Sequence, residues 1–166
     1  MDSRSKSLLA VRPGIKTSRC YENMGDEERF QNETLRPVIK FQNPLLVEMF
    51  KNYVNKHKGA FYELSNEKQL HFIENAIQKD IKFRNALKGM VIGQFTVEEY
   101  LGYIKNSSAL NKRMMNMVIE RLKDQVQLLQ QEVLVEQWFT VQVGGQDIAH
   151  KVKVWPNGAV RGIHFI

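Results

Sequence analysis

The chain has 166 residues, 43% of them hydrophobic, with 24 Lys and Arg against 18 Asp and Glu for a formal net charge of +6. That supplies one globular unit with a real core, the single Cys20 excludes an intrachain disulfide framework and fits a reducing compartment, and no apolar stretch is long enough to span a bilayer. The apolar run Leu8-Leu9-Ala10-Val11 is too short for a signal peptide, so the expectation is a cytoplasmic protein with no membrane partner.

Residues 1–25 mix Ser, Arg, Lys, Pro13, Gly14 and Gly25 with no sustained period, which predicts a disordered or loosely attached tail carrying Cys20. From Asp26 the pattern turns helical, with Asp26, Glu27 and Glu28 where a helix N-terminus favours negative charge. Pro37 and Pro44 must each kink or restart it. Asn43-Pro44 predicts a restart, with Asn43 as N-cap and Pro44 at the first helical position. The apolar stripe Leu45, Leu46, Met49, Phe50, Tyr53 and Val54 then runs to a stop at Gly59.

The next helix starts at Ser65, carries Leu70, Ile73, Ala76, Ile77, Ile81, Arg84 and Leu87 with Phe72 and Phe83 widening its face, and stops near Gly89 or Gly93. Thr96 and Glu99 form a capping box for a short helix, with a staple expected between Phe95 and Tyr100. Asn106-Ser107-Ser108 supply a turn and cap for a long helix through Leu110, Met114, Met117, Val118, Leu122, Val126 and Leu129. Four to five helices result.

After Gln131 the period drops to 2, with Val133, Val135, Phe139, Val141 and Val143 followed by Ile148, Val152 and Val154. Two-residue turns at Gly144-Gly145 and Asn157-Gly158 predict a three-stranded antiparallel meander. The first turn opposes Val143 to Gln146 and Val135 to Val154. A sheet this small is marginal alone, so its apolar side should pack on the helices or on a partner. The expected architecture is mainly α, bundle-like, with a C-terminal β-meander and therefore α+β overall: a tail over 1–25, a helical domain over 26–130 and the meander over 131–166.

Chemistry is sparse. The histidines are His57, His71, His150 and His164, and no CxxC, HExxH or acidic calcium loop occurs. Glu67, His71 and Glu74 share a helix face and form the one weak metal candidate, although His-x-x-Glu reverses the order that di-iron bundles use. His150 and His164 fall on opposite faces of the expected sheet. No Ser or Cys nucleophile has a positioned base, and Ser107 and Ser108 suit capping. Gly89-Met90-Val91-Ile92-Gly93 joins helix to helix and is no phosphate cradle. No catalytic residue and no cofactor is assigned. Lys51, Lys56 and Lys58, or Lys105, Lys112 and Arg113, are the basic groups that could meet nucleic acid or an acidic partner; the stretch 38–60 holds Lys40, Lys51, Lys56 and Lys58 against Glu48 alone.

The segments from Glu28 to Pro37, Phe72 to Ile77, Asp80 to Met90 and Asn106 to Leu122 resemble a small helical family of Bacteroidetes whose members often carry the label "glyoxalase". The likeness covers about residues 26–129, and in that family the chain stops near the end of the long helix, so 131–166 is expected to be an added element. The label implies a glyoxalase-type lyase. Neither the metal-presenting strands nor the His-rich motif of such enzymes is present, so no catalytic residue is carried across. The leading expectation is a non-enzymatic helical module acting through a protein partner or a second copy of itself. A lyase, as the label implies, and nucleic-acid binding through the basic helix are the alternatives.

Overall fold

The computed structural model describes residues 1–14 and 24–129, and the backbone of 135–143 and 146–154. It divides into two compact units, Met1–Leu129 and Gln130–Ile166. Among the described residues the first unit holds eight α-helices: α1 (Ser3–Val11), α2 (Asp26–Phe30), α3 (Arg36–Phe41), α4 (Asn43–Lys56), α5 (Asn66–Lys79), α6 (Ile81–Ile92), α7 (Val97–Tyr103) and α8 (Ser107–Asp124).

Helices α2 and α3 run together through a π-helical turn, Gln31–Leu35, in which the Arg36 N–H bonds the carbonyl of Gln31. Pro37 explains the turn. Its ring would crowd the Glu33 carbonyl of a regular helix and it has no N–H to offer, and a widened turn just before it removes the conflict. Pro37 therefore does not end the helix. The restart falls at Gln42, whose side chain donates to the Met90 carbonyl at 3.3 Å. Asn43 is the first residue of α4 and not its cap, and its Oδ1 is buried without a hydrogen-bond partner.

Helix α4 ends in two left-handed residues, Lys58 at φ 62° and Gly59 at φ 69°. The Gly59 N–H reaches back to the Val54 carbonyl at 3.1 Å, the closure that ends many helices. The single helix expected from Ser65 onward is two helices. Asp80 leaves helical geometry at φ −84°, ψ 99°, and its carboxylate accepts the Phe83 N–H at 3.0 Å, capping α6. Apolar spacing runs straight through this corner, so periodicity alone does not reveal it.

The core is one cluster. Leu35, Val38, Leu46, Phe50, Phe61, Ile73, Ile77, Leu87, Met114, Val118 and Leu122 are all sealed from solvent, with α8 packed against α5, α6 and α4. Phe50 anchors it, with ring centroids 5.5 Å from Phe61 and 6.3 Å from both Phe72 and Phe83.

Two expectations at the scale of whole segments are also corrected. The α+β fold with a three-stranded meander gives way to a helical body: Met1–Leu129 contains no strand among its described residues. In the second unit β1 (Val135–Val143) pairs antiparallel with β2 (Gln146–Val154), Val143 opposite Gln146 and Val135 opposite Val154, and this is the whole described sheet. The proposed third strand, Ala159 to Ile166, lies outside the described residues, as do Cys20 and His164.

The second correction concerns the described start of the tail, residues 1–14; residues 15–23 lie outside the described residues. Residues 3–11 form a helix, and its polar side chains close the ends of two others. Arg4 donates through Nη1 to the Phe95 carbonyl at 2.7 Å and through Nη2 to the Gly93 carbonyl at 2.6 Å, satisfying groups left open beyond the end of α6. Ser5, fully buried, accepts the Val97 N–H at the start of α7. Residues that read as solvated serve as caps.

Candidate functional site

The expected metal-ligand face on α5 does not assemble. Glu67 and His71 are exposed, and the Glu74 carboxylate accepts from Lys123 Nζ at 3.0 Å and from Gln78 Nε2 at 3.1 Å. The Lys123 hydrogen bond and charge hold the Glu74 carboxyl below its ordinary range. No group of three His, Cys, Asp or Glu among the described residues is placed to hold an ion.

The basic candidates scatter. Lys51 pairs with Glu48 one turn away at 3.0 Å, Lys56 is exposed at the end of α4, and Lys58 serves its left-handed turn. Lys105 lines a cleft beside Asp26 and Glu27. Arg113 is held by Glu27 at 3.1 Å and by Gln31 at 2.8 Å, while Asn106 donates to the other oxygen of Glu27. Of the six, Lys112 alone lines a groove free of carboxylates. His57 packs against Tyr53 at a tilt, ring centroids 4.3 Å apart, and burial with the nearby Asp80 carboxylate raises the Tyr53 phenol above its ordinary value.

The best-built polar constellation joins α1 to α7. Arg12 meets Glu99 through two parallel hydrogen bonds, 2.6 and 2.8 Å, with its side chain 6% exposed and that of Glu99 17%. Arg12 also donates to the Gln94 carbonyl. Glu99 accepts the Thr96 N–H at 2.7 Å, and the Thr96 hydroxyl accepts the Glu99 N–H at 3.1 Å, so the expected capping box is present. The Thr34 hydroxyl donates a further bond at 3.1 Å. Burial pushes the Glu99 carboxyl up, but the Arg12, Thr96 and Thr34 hydrogen bonds outweigh it and hold the group below its ordinary value. Every Glu99 oxygen is occupied by a structural partner. The constellation is a clamp and offers no free acid or base.

That clamp fixes α7 in an uncommon pose. Tyr103 turns inward onto Phe95, centroids 5.7 Å apart, in the place where the sequence suggested Tyr100 as the staple. Val97, Tyr100 and Leu101 on α7, with Ile104 in the 3-10 turn (Ile104–Asn106) that continues it, lie at i, i+3, i+4 and i+7, face outward and are 51%, 46%, 52% and 50% exposed. Sequence reasoning missed this surface because the same spacing ordinarily marks a core face. Comparison with protein-family models, with curated proteins and with solved structures finds no match to this chain.

Proposed function

We propose that the protein is a non-catalytic helical module that binds a protein partner, a second copy of the chain included, through the outer face of α7. The observation that carries this reading is the exposed stripe Val97, Tyr100, Leu101 and Ile104 on a helix locked at its N-terminus by a capping box and by Arg12. Single exposed apolar residues are ordinary, but four on one helical face are an anchor pattern for groove or helix packing. A rigid helix also binds with less ordering cost than a flexible one.

A photo-crosslinking residue at Leu101 should give covalent adducts in cells, identified by mass spectrometry, whereas the same group at exposed Asn52 on α4 should give few. Equal adduct yields at both positions would sink the proposal. Sedimentation equilibrium of the purified chain then separates a second copy from a different partner, since self-association raises the mass with concentration and Leu101→Asp removes the rise. The lyase implied by the family resemblance has no support in the placement of Glu67, His71 and Glu74; turnover of the methylglyoxal–glutathione adduct by the purified chain, abolished by His71→Ala, would replace the contact reading.

A further inference from the structure

A groove of about 510 Å³ runs between α5, α6 and α8, separate from the α7 face. Its charged lining is entirely cationic: Arg84, Lys88 and Lys112. Gln78, Asn111 and Asn116 add amides, and Ile77, Met115 and Ile119 form an apolar floor. Arg84 is steadied by a bond from Nη1 to the Gln78 carbonyl at 3.2 Å. Lys88 and Lys112 have no ion-pair partner among the described residues. The nearest acid along α5, Glu74, one turn before Gln78, is already held by Lys123. Three cations with no carboxylate in the groove lining create a field that a bound anion would relieve.

The second observation concerns length. A larger groove, about 780 Å³, lies on the other flank of α8, lined by Arg36, Lys40, Arg113 and Arg121 with Glu120 and Asp124. Asn116 lines both grooves, and the adjacent Lys112 and Arg113 each serve one of them. A single small anion would fill one groove, whereas a chain of regularly spaced negative charges crosses α8 and meets both. The amides suit the free hydrogen-bonding edges of unpaired bases, which a duplex does not present.

We propose that these paired grooves bind single-stranded nucleic acid, its phosphates on Arg84, Lys88 and Lys112 and its base edges on the amides of Gln78, Asn111 and Asn116. The test is fluorescence anisotropy of a labelled ten-nucleotide single strand, titrated with the full chain at several salt concentrations. Log affinity should fall with log salt at a slope of about −2 or steeper, as three or more phosphate contacts require. Lys88→Gln and Lys112→Gln should each flatten the slope by about 0.7, with Lys→Arg at the same positions restoring it. Lys51→Gln with Lys56→Gln should leave it unchanged. Circular dichroism confirms that each variant keeps its helices. The proposal is overturned by undetectable binding, by an unchanged slope in the Lys88 and Lys112 variants, by equal affinity for a duplex, or by equal competition from polyglutamate or a mononucleotide.

Discussion

At the scale of single residues, Glu99 shows how one side chain can be both cap and anchor. Its capping role was legible, because Thr-x-x-Glu before an apolar run has few other uses. Its pairing with Arg12, 87 positions away, was not, since nothing local encodes it. Arg12→Met should cost about 3 kcal/mol in chemical denaturation, the lower end for a broken buried pair because Glu99 keeps some water access. The pH dependence follows from the same bonds. Glu99 takes up its proton at lower pH when folded than when unfolded, so its contribution is complete above the ordinary glutamate range and is lost as pH falls from there through the lower folded value. Glu99→Gln should therefore flatten the acid limb of a stability–pH curve. Lys58 makes the opposite point: at φ 62° it occupies geometry that suits glycine, and Lys58→Gly should raise the melting temperature, with a gain of up to about 1 kcal/mol after the unfolded-state cost of glycine.

At the scale of elements, the helical stretches were legible from apolar spacing, and their corners were legible only where a cap was written beside them. Asp80 is such a cap, overlooked because Ile77, Ile81 and Leu87 maintain helical spacing across it. Asp80→Ala should cost about 1 kcal/mol, whereas Asp80→Asn should cost much less, as read by thermal melts; equal losses would mean the carboxylate's charge matters more than its acceptance of the Phe83 N–H. Helix α1 was illegible for a different reason. Its apolar content is low, and what ties it down is hydrogen bonding: Arg4 and Arg12 donate to groups beyond α6 and on α7, and Ser5 accepts from the start of α7. Composition scales count such residues as solvated, and only their partners show otherwise. The α7 stripe reverses this error, since an apolar pattern that reads as core is left outside.

At the scale of the whole molecule, the helical body is compact by itself, with α8 lying against α4, α5 and α6. A chain limited to Met1–Leu129 should retain its helical circular dichroism and melt in one cooperative step; a broad, non-cooperative melt would show that the body needs the residues beyond it. The sequence by itself determined that residues 26–129 are dominated by helices, placed the capping box at Thr96 and Glu99, and marked Leu46, Phe50, Ile73, Ile77, Met114, Val118 and Leu122 as core, because these depend on spacing and on bonds within four residues. Tertiary structure alone decided that residues 3–11 fold onto the α6–α7 junction, that Arg84, Lys88 and Lys112 share an acid-free groove, and that Val97, Tyr100, Leu101 and Ile104 stay in solvent. Exposure and charge pairing are properties of which surfaces meet, and those meetings join residues far apart in the chain.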